Sequence, residues 1–567
     1  MFKKLTAGIE ALLERPKLIF VIYIIVNLVP SILLVTSEPL NFAGKLVLLF
    51  APLGLYLCIY SLSQKTGLIQ VLLIPLLVLH AFQLVLFYMY GENVIAADMF
   101  LNVVTTNPSE AGELLVSIWP SVLGVCVLYI PIIILSIMQL RRKICLSRNF
   151  RRCTFIMGLG IFIAAYGISI FAHNKNTQVF SYHQNIYPNN VLYNLDFAIN
   201  KWKRIDRYHA TSKDFTFEAT RTPNTDKREI YVMVVGETGR ADNWSLYGYE
   251  RQTNPRLEKD SNLVFYRDAI TQSNTTHKSV PIILSAASAE NFDIIYEQKS
   301  IIQAFKECGF TTVFISNQSP NRSFTELFSE EADIYKTFRD ELATNNAPDG
   351  VMLPYLKNCI DSIDGNLFIV LHSYGSHFNY RERYTDEFSV FKPDAVKGMT
   401  LKERDVLINA YDNSILYADY FLDGVIQLLR DEDASSGMFY CADHGEDIFD
   451  DDRHRFLHAS PIPTYYQLRI PMLMWFSDSY IDANPRKFGM AKRNMTMPVS
   501  TNSAFHTMLD MANIKTNYFE VDLSLLRAAF RPQERMYLDD HDDPVSFYEL
   551  NLKDEDREMI EKNNIYH

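Results

Sequence analysis

Five long apolar runs crowd the first third of this chain, and they commit it to a membrane before any other folding choice is made. They lie at Leu18–Val35, Leu46–Leu62, Leu68–Tyr90, Leu114–Leu140 and Thr154–Phe171. A helix crosses the hydrocarbon of a bilayer with about 17–25 mostly apolar residues. The second run is the weakest, being short and carrying Pro52 and Gly54. Any one run alone would also suit a helix buried in a soluble core; five in succession read as spans. The first is not a cleaved leader, because it is long, lacks a small-residue cleavage site and is followed by more spans.

Charge sets the orientation. Lys3, Lys4, Arg15 and Lys17 flank the first run, and Arg141, Arg142, Lys143, Arg148, Arg151 and Arg152 fill the loop between the fourth and fifth. The loop from Gly91 to Glu113 has no Lys or Arg but holds Glu92, Asp98, Glu110 and Glu113. Basic loops stay in the cytoplasm. The N-terminus is therefore expected inside, and everything after His173 outside.

The rest of the chain differs in kind. Hydrophobic residues make up 48% of the 567 positions and the formal net charge is −12, carried mostly beyond the spans. An acidic chain of this kind is not built for nucleic acid. Residues 173–228 read as a connector. Within it Asn189–Arg207 is amphipathic and suits either the membrane interface or a helix packed on the soluble domain. From Glu229, strand-like runs (Glu229–Val235, Thr311–Ser316, Leu367–Leu371, Met438–Ala442, Ile470–Phe476) alternate with helix-like ones (Ile301–Cys308, Val351–Ile363, Leu407–Arg430, Ser503–Ala512). Such alternation implies a mostly parallel sheet between helices. The chain thus divides into a five-helix membrane domain over 1–172, the connector, and an α/β soluble domain over 229–567. The acidic residues Asp539, Asp540, Asp542 and Asp543 lack calcium-loop spacing and read as a solvated surface.

Three of those strands run into chemistry. Glu237 follows the first, Ser376-His377 the third, and Asp443-His444-Gly445-Glu446 the fourth, while Thr275-Thr276 precedes a helix-like stretch at His277–Leu284. In α/β sheets, ligand-binding groups gather beyond the carboxyl ends of parallel strands. Carboxylate and imidazole donors together suit Zn²⁺ with a position left for a reacting group. A threonine hydroxyl needs a base or metal to become a nucleophile, and a helix N-terminus offers N–H groups to an anion. Phosphoryl transfer uses that combination. His377 and His458 could hold the phosphate or a second metal ion.

In order along the chain stand Val-Gly-Glu-Thr (235–238), Ser-Leu-Tyr-Gly-Tyr (245–249), Ser-Val-Pro (279–281), Tyr-Asp-Asn-Ser-Ile-Leu-Tyr (411–417) and Asp-His-Gly-Glu (443–446). In these the chain resembles, over nearly its whole length, the membrane-bound phosphoethanolamine transferases of the alkaline phosphatase/sulfatase superfamily, which modify lipid A. The resemblance implies an α/β domain of alkaline phosphatase/sulfatase type on the periplasmic side of a bacterial inner membrane. It implies phosphatidylethanolamine as donor, lipid A or a related glycolipid as acceptor, and a zinc-dependent covalent intermediate. Aligned on Ser-Val-Pro, Thr276 rather than Thr275 matches the nucleophile, with zinc held by Glu237, Thr276, Asp443 and His444. His377 matches a phosphate-site histidine, and His458 is preferred over His454 for a further one. Arg322 falls near a donor-contacting lysine. Asn102, Thr106 and Glu110, spaced for one helix face, match residues that hold the lipid headgroup, although a solvated helix face has the same spacing.

The chain departs from the family in its cysteines. The stretch Ala269–Ser288 has none, and Cys308, Cys359 and Cys441 are the three outside the spans, an odd number that forbids complete pairing. A Cys308–Cys359 bridge stays open. A lipoteichoic-acid-type synthase, which transfers glycerol phosphate, has the same five-span layout. The Asn102/Thr106/Glu110 set and the Tyr-Asp-Asn-Ser run argue against it. A sulfatase activity would need a Cys/Ser-x-Pro-x-Arg motif, and none surrounds Thr276.

Overall fold

A computed structural model describes residues 10–90, 94–105, 112, 115, 118–175, 179–339, 346–550 and 552–565. The chain divides into two compact units, Met1–Phe100 with Ile118–Ile199, and Leu101–Ser117 with Asn200–His567.

The first unit is helical. Its main helices are α1 (Pro16–Ser37), α2 (Phe42–Leu62), α3 (Thr66–Leu72), α4 (Ile74–Tyr90), α5 (Ala97–Thr105), α6 (Trp119–Arg141), α7 (Arg148–Ser169) and α8 (Asn189–Ile205). Among the described residues four, namely α1, α2, α6 and α7, are long and apolar enough to cross a membrane; α3 and α4 pass the same test only together, as a bent pair. The third expected span is therefore not one continuous helix: it turns by 61° at Leu73. Pro75, the second residue of α4, has no N–H to give the carbonyl four residues back, and the helical ladder breaks there. The fifth span begins earlier than expected, at Arg148, where the Ser147 side chain accepts the Phe150 amide and caps the helix. α2 and α7 pack through glycine. A Cβ on Gly54 would lie 2.7 Å from the Gly158 carbonyl oxygen, and one on Gly158 2.8 Å from Leu57. Small residues let helix backbones meet where no hydrophobic effect drives them together. α8 buries Val191, Asn194 and Ala198 and leaves Leu192, Tyr193 and Ile199 exposed.

The second unit is built on a seven-stranded sheet. The strands are β1 (Glu229–Gly236), β2 (Leu263–Phe265), β3 (Thr311–Ser316), β4 (Ile334–Thr337), β5 (Leu367–His372), β6 (Ser435–Ala442) and β7 (Met472–Phe476). Their order is β2-β7-β6-β1-β5-β3-β4. β1 pairs in parallel with β5 and β6, and β3 with β5 and β4, whereas β7 runs antiparallel to both β6 and β2. Every residue of β1, β5 and β6 is buried, as unbroken apolar runs in a covered parallel sheet require. Helices α9 (Thr276–Leu284), α10 (Ile301–Glu307), α11 (Met352–Ser362), α12 (Arg404–Arg430) and α13 (Ser503–Met511) belong to the same unit, and all five contribute buried residues to its main apolar core.

Two expectations are corrected here. The seven cysteines are free, so Cys308 and Cys359 form no bridge. The acidic tail is not merely a solvated surface. Asp542 pairs with Lys201 at 2.7 Å and with the fully buried Lys278 at 3.0 Å, and the Lys278 ammonium also donates to the Asp539 carbonyl. A buried ammonium needs such partners, and the tail supplies them.

Candidate active site

The central strands aim their carboxyl ends at one place. β1 hands on to Glu237, β5 to the loop ending at His377, and β6 to Asp443 and His444. Asp443 and His444 are wholly buried and Glu237 is nearly so. One ligating atom from each of the three lies within 4.8 Å of the others. The Asp443 Oδ1 accepts the Thr238 and His444 amides at 3.0 and 2.7 Å, which pins the carboxylate and points Oδ2 inward.

Thr276 is the first residue of α9 and Thr275 its N-cap. The Thr276 hydroxyl lies 3.2 Å from Glu237 Oε1, 3.4 Å from Oε2 and 3.2 Å from His444 Nε2. The Thr275 hydroxyl turns instead to Ser273 Oγ, at 3.1 Å. The geometry thus separates two threonines that composition alone could not. No acidic residue occupies the first turn of α9, and the Glu237 carboxylate beside Thr276 meets its N-terminal dipole instead.

The charges in this pocket are far from their ordinary balance. Burial pushes Glu237 up, but His444, His377 and His458 together with a hydrogen bond from Gln318 outweigh it and hold the carboxylate down at about 2. Asp443 goes the other way: burial and repulsion from Glu237 raise it to about 7. Burial disfavours the charged His444, yet Asp443 and Glu237 prevail and raise its pKa. The donor set fits a divalent cation. Asp443 Oδ2 is buried with no hydrogen-bond partner, two carboxylates face each other, and the donors are the mixed oxygen and nitrogen that zinc accepts.

His458 and His377 complete the wall. The His458 ring lies 4.2 Å from that of His444 and 5.9 Å from that of His377, centre to centre. Its Nδ1 meets Glu446 Oε1 at 3.1 Å, and Glu446 Oε2 accepts the Tyr380 hydroxyl at 2.7 Å. The Glu446 carboxylate against Nδ1 fixes how the His458 ring is oriented. Burial and the neighbouring imidazoles keep His458 neutral. His377 Nδ1 meets its neighbour's carbonyl at 2.6 Å, and its ring stacks on Tyr374. His454 is exposed, and its amide closes a turn onto Asp451.

Arg322 is also exposed and sits in the left-handed region with φ 56°. From that loop it is Gln318 that reaches the cluster, donating to Glu237 Oε2 at 3.0 Å and to the Ser373 carbonyl at 2.9 Å. Gly375 has φ 52°, and a Cβ there would lie 2.4 Å from the Glu237 carbonyl oxygen. Nothing in the sequence singles out Gln318 or Tyr380, but Gly375 is visible in Gly-Ser-His and Glu446 in Asp-His-Gly-Glu. Asn102 lies on α5; Thr106 and Glu110 lie outside the described residues.

The comparisons agree with this layout. The sulfatase family model matches residues 229–514, and a model described as phosphoethanolamine transferase EptA/EptB matches residues 53–195. The Kdo(2)-lipid A phosphoethanolamine 7''-transferase of Escherichia coli (strain K12) is 30% identical over 312 residues, covering 53% of this chain and 54% of that protein. The integral membrane lipooligosaccharide phosphoethanolamine transferase A (EptA) of Neisseria meningitidis superposes with a TM-score of 0.70 at 23% identity, over 90% of this chain and 99% of that one. The periplasmic domain of EptC from Escherichia coli, solved in complex with Zn, superposes with a TM-score of 0.54 at 23% identity, over 59% and 96%. The chain spans about half the length of the curated relatives it matches, 48–60%. The sulfatase match alone takes in half of the chain, so the chain belongs to the sulfatase family, joined to membrane helices of the phosphoethanolamine-transferase kind.

Proposed function

We propose that the chain is a membrane-bound phosphoethanolamine transferase that moves the group from phosphatidylethanolamine to lipid A or a related envelope glycolipid. The observation that carries this reading is the Thr276 hydroxyl held 3.2 Å from both Glu237 and His444 at the start of a helix. The printed names of the relatives support the substrate class, and the zinc complex of the EptC domain supports the metal.

The reaction has two displacements at phosphorus. Thr276 Oγ attacks the phosphorus of the donor as the bond to diacylglycerol breaks, and the proton lost by the Thr276 hydroxyl ends on the departing diacylglycerol oxygen. The phosphoethanolamine stays on Thr276 as a diester. An acceptor oxygen, a phosphate or sugar hydroxyl of the glycolipid, then attacks the same phosphorus, and Thr276 Oγ leaves and is reprotonated with the proton the acceptor gives up. Glu237, Asp443 and His444, with Thr276 Oγ, would hold Zn²⁺, which when bound lowers the hydroxyl pKa and offsets charge gathering on the phosphoryl oxygens. Thr276 opens α9, so the positive end of that helix lies beside the same oxygens. Neutral His458, oriented by Glu446, is placed to take the proton of the incoming acceptor, and His377 closes the site beside it. Catalysis outside the cytoplasm, from a five-span anchor, puts the site where both lipids are reached without leaving the membrane.

Mass spectrometry of envelope lipids from cells with and without the protein tests this. A gain of one phosphoethanolamine unit on a glycolipid, lost in Thr276→Ala, is the expected result. A gain of glycerol phosphate instead, or ethanolamine transfer that survives Thr276→Ala, overturns it.

A further inference from the structure

A second site lies in the first unit, at the opposite end of the spans from the loops that face outward. The end of α2 and the start of α7 border an open groove of about 530 Å³ lined by Ser61, Leu62, Gln64, Leu146, Arg148, Arg151, Arg152, Phe155 and Ile156. The basic loop puts it at the cytoplasmic face of the bilayer. Three of its nine lining residues are arginines and none is acidic.

The arginines are not equally engaged. Arg151 donates to the Ser61 and Leu62 carbonyls at 2.9 and 2.7 Å, closing the end of α2. Arg148 and Arg152 have no carboxylate partner among the described residues. They stand at i and i+4 on one helix face, where like charges repel, and at a helix N-terminus, where cations oppose the dipole. Both are exposed, and no acidic residue lines the groove beside them. Ser61, which also lines it, is buried with its hydroxyl lacking a hydrogen-bond partner. On the other side the groove opens along Leu62 and Ile156, 64% and 70% exposed.

We propose that this groove binds the headgroup of an anionic phospholipid of the cytoplasmic leaflet. Arg148 and Arg152 pair with its phosphate, the Ser61 hydroxyl gives a hydrogen bond, and Leu62 and Ile156 carry an acyl chain. Basic pockets between membrane helices on this side are suited to such headgroups. The apolar flank selects a lipid over free phosphate. The site differs from the one that would hold a donor lipid for transfer, which belongs to the outer side.

Native mass spectrometry of the full-length chain, released from nanodiscs of phosphatidylcholine doped with phosphatidylglycerol, tests the proposal. The wild type should retain phosphatidylglycerol in preference to phosphatidylcholine. Arg148→Gln with Arg152→Gln should lower that preference by on the order of tenfold or more, while Arg141→Gln with Lys143→Gln, which removes as much charge from the same loop, should leave it unchanged. Should the double variant fail to insert, Arg152→Gln alone must lower retention severalfold. Equal loss in both charge-matched pairs, retention undiminished without Arg148 and Arg152, or displacement of the lipid by inorganic phosphate alone would overturn it.

Discussion

Thr276 gains its setting from side chains that never touch a phosphate. Gln318 fixes one Glu237 oxygen, Glu446 fixes the His458 ring, and Gly375 lets its loop lie against the Glu237 backbone. Removing a group that orients a metal ligand costs about 10–100-fold in metal affinity or activity. Gln318→Ala should therefore weaken metal binding by that order while the sheet stays folded, read by titrating zinc into the protein and following transfer at each concentration. Gly375→Ala should be more severe, since an alanine at that backbone angle also pushes on the Glu237 carbonyl; a variant as active as wild type would show that the loop can yield. At this scale the sequence was legible where chemistry sits at the end of a buried apolar run, as at Glu237, Asp443 and His444. It was not legible at Gln318, because an uncharged amide in a polar loop carries no mark, and the nearby Arg322 drew the eye by its charge while remaining exposed.

Among the elements, the long helix α12 shows how one buried carboxylate couples folding to pH. Asp419 accepts the Leu257 and Arg256 amides at 3.0 and 3.1 Å and is wholly buried. Burial outweighs those bonds and raises its pKa from 3.8 to about 7. Between those values the folded chain keeps a proton that the unfolded chain has released, so this group favours folding most in acid and loses that contribution as pH rises through about 7. Asp419→Asn should flatten the dependence, and its unfolding temperature measured against wild type should rise between about pH 5 and pH 8. In the membrane helices, Gly158→Val would overpack the α2–α7 contact and should cost on the order of 1–3 kcal/mol, read as earlier unfolding in detergent. The buried strands β1, β3, β5 and β6 were found from sequence because their apolar runs are bounded by polar residues. The direction of β7 was not, since an apolar run reads the same both ways. Short β2 and β4 were missed, β4 being the mixed Ile-Tyr-Lys-Thr. The bend at Leu73 is marked in the sequence by Pro75, but the length of the apolar run reads as one straight span.

Across the whole molecule, the long apolar helices and the buried cluster of Glu237, Asp443 and His444 belong to different units. A cation bound between Glu237, Asp443 and His444 should stabilise the folded unit by about 2.7 kcal/mol at a hundred times its dissociation constant. Scanning fluorimetry should then show a lower unfolding temperature after chelation, restored by zinc and insensitive to either treatment in Asp443→Asn. The contact between Lys278 and the tail has a further consequence. The Asp539 carbonyl that receives its ammonium lies 261 residues further along the chain. During synthesis the helix bearing Thr276 is made long before this anchor, so the nucleophile is not set in place until Asp539 and Asp542 have followed it. A chain broken off before Asp539 would carry a sheet with an unfastened reaction centre.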